Sequence, residues 1–251
     1  MTIQLIPLLT AQQKLYRHPL GLERFREYLQ TLLKADKSDV DLLPMMMMNP
    51  MGKQHVADYV DALIAMDAEA IAEEAIASSP LCTRLDKFKL GLAVADDQKG
   101  GWTNRFSSDF AQRFHSQAQL KRHWISAIFW TSEPPTIASV RATVLTALHR
   151  TDYIQRHGFP RTLADMMAQE GYALWQAGCT QPTLASEDMD YTATVMTSHL
   201  TATDTPTQMA CLFGDVAAQV LGYAPQGLSA NAGLALALHQ VAVQQPVSRL
   251  G

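Results

Sequence analysis

The densest set of reactive groups in the chain lies in ten residues. Asp96 to Arg105 reads DDQKGGWTNR, with two adjacent carboxylates, two glycines, a tryptophan, an asparagine and an arginine. A carboxylate of this kind can hold Mg²⁺ or take a proton as a general base, and Asp97, with Asp96 beside it, is assigned that role. Arginine presents a planar fork that grips a carboxylate or phosphate, so Arg105 is assigned to substrate binding, with Asn104 and Trp102 next to it. The glycines let a backbone approach a ligand closely. The plainer reading is a solvated turn, with Trp102 covering the core.

A second stretch, Met45 to His55, reads MMMMNPMGKQH. Thioethers bind copper(I), but four consecutive residues on a strand point alternately to opposite faces, so a methionine metal site is not expected and the methionines read as core filler. The sequence GxxxxGK[ST] of a phosphate loop fails, because position 47 is Met and position 54 is Gln. What remains is a turn leading into a helix whose first N–H groups attract anions, with Asn49, Lys53 and His55 close by. Lys53 and Asn49 are assigned to substrate binding and His55 to proton donation. A third polar end, Thr131-Ser132-Glu133 before Pro134-Pro135, offers Glu133 as acid or base and Ser132 as a substrate contact.

Three apolar runs should position these groups. Val40 to Met48 is bounded by polar turns and reads as a strand buried on both faces, although Pro44 cannot donate to a ladder. Phe88 to Ala95 and Trp124 to Thr131 read as two more strands. Between the first two, Val56, Tyr59, Val60, Leu63, Ile64, Ile71 and Ala75 follow one helical face. Another helix is expected from about Ser108 to Leu120, and one from about Leu20 to Leu33 precedes the first strand. Connections of this length suit parallel crossovers. The three strand ends would then share one edge of the sheet, where open α/β sheets bind ligands. Asn49, Lys53 and His55 would come from the first strand's end. Asp96, Asp97, Asn104 and Arg105 would come from the second, and Ser132 and Glu133 from the third.

Residues 136–243 read as helix after helix. Arg161-Thr162 opens one that stops at Gly178, and Ser186 opens another. Asp204, Thr205 and Pro206 open one that runs to Gly222. Ser229 to Val243 is apolar nearly all round, which predicts a central buried helix, with a frayed tail after it. The expected architecture is therefore a mainly helical α/β fold. A small parallel sheet of at least three strands, flanked by helices, occupies residues 1–135, and a helical portion, residues 136–251, packs on it, as two portions or as one single domain.

Composition narrows the function classes. The 251 residues are 47% hydrophobic and carry a formal charge of -4 with scattered Lys and Arg, so a nucleic-acid surface is not expected. No apolar run approaches the roughly 18 residues of a membrane span, and the first ten residues lack a signal-peptide pattern. Cys82, Cys179 and Cys211 are far apart, which fits free thiols in a reducing cytoplasm. No HExxH, GxSxG or GxGxxG occurs. His149 and His157, and likewise His115 and His123, are eight apart on expected helices, about 12 Å by the helical rise, too far to share a metal. They read as surface or capping histidines, and His239 reads as a hydrogen-bonded core histidine. The leading expectation is a small cytosolic enzyme acting on an anionic small molecule, with Mg²⁺ open as a cofactor. The alternatives are a non-catalytic module for a small ligand or protein, and a structural subunit of a homo-oligomer.

Overall fold

The structure is a computed structural model and describes residues 3–98 and 103–244. The elements run β1 (Gln4–Ile6), α1 (Leu9–Arg17), α2 (Leu22–Leu32), a 3-10 segment (Leu43–Met47), α3 (Gln54–Ala65), α4 (Ala68–Ser78) and β2 (Lys89–Ala95). Next come α5 (Arg105–Phe114), α6 (Gln117–Lys121) and β3 (Trp124–Trp130). Then α7 (Ile137–His157), α8 (Leu163–Gln176), α9 (Ser186–Thr197), α10 (Thr205–Phe213), α11 (Asp215–Val220) and α12 (Ala232–Gln244) complete the chain. Two compact units divide it: Met1–Arg105 with Ser116–Leu148, and Phe106–His115 with His149–Gly251.

The first unit holds a three-stranded parallel sheet in the order β1-β2-β3. The central strand β2 pairs with β3 along its whole length, from Lys89 opposite Trp124 to Ala95 opposite Trp130. Leu90 to Ala95 are all buried, as expected of an apolar run covered on both faces. On the other side β1 pairs with only Lys89, Leu90 and Gly91. Beyond that point the Gln12 side chain of α1 substitutes for a strand, accepting the Val94 N–H at 2.9 Å and donating to Leu92 O at 2.9 Å. Gly91 leaves room for the layer above it: a Cβ there would lie 2.5 Å from Leu8 Cδ1 and 3.1 Å from Pro44 Cγ.

The expected strand at Val40 to Met48 is not a strand. Leu43–Met47 is a 3-10 helix with Pro44 in its first turn, where the missing N–H costs nothing. Met45 and Met48, three residues apart, point into the core while Met46 faces outward, so two of the four consecutive methionines fill the interior. Leu33 and Val40 form an isolated antiparallel bridge. The strand that completes the sheet is the three-residue β1.

The long helix expected through residues 56–75 is two helices. Asp67 adopts a left-handed conformation (φ 55°), which Asp tolerates, and ends the first of them. The helix expected over residues 108–120 is likewise split into α5 and α6, so His115 and His123 share no helix.

Among its described residues the second unit contains helices joined by loops and no strand. Thr162 caps α8 reciprocally with Asp165, and Asp204 caps α10 by accepting the Thr207 N–H at 2.9 Å. The helix expected from Pro206 to Gly222 breaks at Gly214. Its φ is 83°, and a Cβ would lie 2.1 Å from Ser229 O. Helix α12 is buried from Ala232 to Leu238, while His239 and Gln240 are exposed and Val241 and Ala242 only partly buried, so neither the all-round burial nor the core histidine is found. His149, expected on the surface, is buried edge-on to Tyr172. Glu170 is fully buried between the guanidinium groups of Arg113 and Arg150. Residues 245–251, expected to fray, lie outside the described residues. Among the described residues no helix is long and apolar enough to cross a membrane.

Candidate functional site

Because the strands are parallel, the residues that follow β2 and β3 emerge at the same edge of the sheet. Asp96 and Asp97 leave β2, and Thr131, Ser132 and Glu133 leave β3. A third contributor comes from outside the sheet. The Asn49-Pro50-Met51-Gly52 turn closes with Gly52 N–H on Asn49 O at 2.9 Å, and Met51 N–H bonds Asn49 Oδ1 at 3.0 Å. Tyr16 donates its hydroxyl to Asn49 O at 2.7 Å. These bonds fix the Asn49 amide so that Nδ2 donates to Asp96 Oδ2 at 3.0 Å.

Asp96 is buried and works through both oxygens. Oδ1 lies 2.9 Å from His55 Nε2, and the Gln98 N–H reaches it at 3.3 Å. The His55 side chain is 30% exposed against 2% for Asp96, so a solvent-reachable imidazole is backed by a carboxylate that is not. Holding the Nε2 proton on Asp96 leaves Nδ1 as the proton acceptor of the neutral ring. His55 sits in the first turn of α3, directly after the turn that carries Asn49.

Asp97 is saturated. Its Oδ1 accepts from the Ser132 N–H at 2.9 Å and the Thr131 hydroxyl at 3.1 Å, and its Oδ2 from the Ser132 hydroxyl at 2.6 Å and Arg105 Nη1 at 3.1 Å. Burial works against ionisation, but the Ser132 bonds and Arg105 outweigh it and hold the carboxyl below its ordinary range. With every lone-pair direction used, Asp97 ties the end of β2 to the end of β3. The Thr131 hydroxyl oxygen accepts the Asp97 N–H at 3.3 Å and lies 3.4 Å from Asp96 Oδ1, so its one proton serves either aspartate.

Arg105 begins α5 with its guanidinium 4.9 Å over the Trp130 ring, a cation–π contact. Nη1 also donates to Ser132 Oγ at 3.1 Å, and Nη2 is paired with Glu133 Oε1. Glu133 itself is 61% exposed.

Seven of the residues chosen from the sequence are thus joined in one network: Asn49, His55, Asp96, Asp97, Arg105, Ser132 and Glu133. Lys53 is exposed just before α3 and has no bond to the network among the described residues. Asn104 is exposed just before α5. Trp102 lies outside the described residues. Sequence reasoning passed over Thr131 and Trp130, and it placed Tyr59 only on an apolar helix face. The available signal for Tyr59 was its spacing of four from His55, which puts both on one side of α3. Among the described residues no group of three or more His, Cys, Asp or Glu is arranged to hold a metal ion. No protein-family model, curated protein or solved structure matches the chain.

Proposed function

We propose that this chain is an enzyme acting on an anionic small molecule at the C-terminal edge of its sheet. His55 moves the proton, Asp96 orients its ring, and Arg105 holds the anionic group. One observation carries the reading: a half-buried imidazole is hydrogen-bonded to a buried carboxylate that is itself fixed by Asn49. Such backing sets the tautomer and holds the ring in one orientation. Asp97 is a structural tie in this reading and Asp96 a positioning residue. Neither needs to leave its partners during a reaction. Lys53 adds positive charge near His55 in the chain.

The test is turnover. The protein is incubated with pools of small carboxylates and phosphate esters, and the mixtures are followed by proton NMR. Conversion of one compound that disappears in His55→Ala, with the melting temperature unchanged, is the expected result. Conversion that survives in His55→Ala removes His55 from the chemistry. Saturable binding with no conversion of any bound compound makes the chain a non-catalytic binding module.

A further inference from the structure

One polar group at this site is used by neither the network nor the proton transfer. Tyr59 follows His55 by one turn of α3, so both side chains leave the same side of the helix. Tyr59 is nine-tenths buried, and its hydroxyl has no hydrogen-bond partner among the described residues. Burial raises its pKa to about 12, the Glu133 and Asp97 carboxylates push the same way and Arg105 pulls back, so the hydroxyl stands within electrostatic reach of all three. A tyrosine commonly buries its ring and leaves its hydroxyl within reach of solvent, where a ligand can meet it.

Arg105 divides into a fixed half and an exchangeable half. Nη1 is anchored by buried Asp97 and by Ser132, and the plane is held over Trp130. Nη2 meets only Glu133 in this network, and that side chain is mostly in solvent. An exposed ion pair is held weakly because solvent screens it and a long side chain must be ordered. The carboxylate on Nη2 is therefore the one a ligand can replace.

The geometry points to a monocarboxylate subsite: the ligand's carboxylate takes the place of Glu133 on Arg105 Nη2 and accepts the Tyr59 hydroxyl, and Glu133 competes with it for that place. This rests on the reading that Arg105 holds the anionic end of the substrate, and it narrows that end to a carboxylate. The local charge decides between carboxylate and phosphate. Asp96, Asp97 and Glu133 stand against one guanidinium and a histidine. Exchanging one carboxylate for another leaves this balance unchanged. A phosphate dianion would add charge next to Asp97, where like charges repel.

The experiment titrates the full chain with acetate and, separately, with inorganic phosphate, reading the side-chain ¹⁵N–H signals of Arg105 by NMR. Acetate is expected to shift those signals saturably and to bind more tightly than phosphate. Glu133→Gln should tighten acetate binding about tenfold by removing the competitor, and Tyr59→Phe should weaken it about tenfold, the effect of one charge-assisted hydrogen bond. Acetate affinity unchanged in Glu133→Gln, or phosphate binding the tighter of the two, overturns the proposal. Glu133→Gln alters an exposed side chain, so that arm does not depend on a core substitution. His55→Ala separates the two readings. If it keeps acetate binding and also keeps turnover, the proton-transfer role fails and the subsite stands. If acetate leaves Arg105 untouched in the wild type while His55→Ala still abolishes turnover, the subsite fails and the proton-transfer role stands.

Discussion

His55 Nε2 and Asp96 Oδ1 lie 2.9 Å apart although 41 positions separate them in the chain. The contact exists because two independent local structures meet: the turn that starts α3 and the last residues of the central strand. Asp96 has no freedom to turn away, since Asn49 holds its other oxygen.

Asp96→Asn tests this relationship. The new amide keeps the shape but can offer only one acceptor oxygen to Asn49 Nδ2, His55 Nε2 and the Gln98 N–H. At least one buried donor loses its partner, which costs about 1–3 kcal/mol. Urea unfolding should show a loss of that size. In the proposed enzyme, turnover should fall further than stability, because the ring loses the carboxylate that fixes its tautomer. A variant as stable as the parent would mean that the acceptor is dispensable.

The strands β2 and β3 were legible because a strand covered on both faces must be apolar throughout, and FKLGLAVA and WISAIFWT are. Their parallel arrangement followed from connection length, and with it the edge where Asp96, Asp97, Ser132 and Glu133 emerge. The first strand was not legible. Three residues, Gln4 to Ile6, carry no periodicity, whereas the longer apolar run at Val40 to Met48 imitates a strand and is a 3-10 segment. Asn49 and His55 still arrive at the site because the turn after that segment is tied to Tyr16 and to Asp96 at the end of β2.

Pairing was the hidden part of the site. A sequence displays charges but not which ones neutralise each other. Asp97 read as a free carboxylate and is bound by four donors. Tyr59 counted as one more apolar position on α3, and its electrostatic coupling to Glu133, Asp97 and Arg105 appears only once the chain is packed.

Gln12 supplies the second prediction. It is fully buried and makes the two bonds that β1 is too short to make. Gln12→Leu keeps approximate volume but leaves the Val94 N–H and Leu92 C=O without partners. Each orphaned backbone group costs about 1–3 kcal/mol, so the protein should lose about 2–6 kcal/mol. The local signature is amide exchange at Val94. It should accelerate more than at Ala93, which belongs to the β3 side of the ladder. Equal acceleration at both would point to general loosening rather than a lost surrogate strand.

Gly91 is a packing prediction with a built-in rescue. A methyl group there overlaps Leu8 Cδ1 and presses on Pro44 Cγ. Gly91→Ala should destabilise by about 1–3 kcal/mol, the usual cost of overfilling a core. Leu8→Ala alone should cost about 2–5 kcal/mol through its cavity. Combined, the two should cost less than their sum, because the added methyl occupies part of the space Leu8 leaves. Additive costs in a double-mutant cycle would mean that the clash is relieved by backbone movement instead.

Glu170 carries the pH prediction, and it concerns the second unit alone. Its carboxylate is fully buried, and burial by itself would raise its pKa. Arg150 and Arg113 outweigh that and draw it down to about 2, from an ordinary 4.5. A carboxyl group whose folded pKa is depressed binds protons more readily when unfolded. Its contribution to stability is present above the ordinary value and is lost as the pH falls from about 5 toward 2. Glu170→Gln should therefore flatten the acid limb of the stability curve over that interval. At neutral pH the same variant leaves Arg150 without its bidentate partner and Arg113 with only Asp109, a loss of about 3–5 kcal/mol typical of breaking a buried ion pair. If the variant is too unstable to titrate, Arg150→Lys provides the check. It keeps the charge, gives up the fork, and should retain the acid limb at reduced overall stability. An unchanged acid limb in Glu170→Gln would place the acid-sensitive protons on other carboxylates.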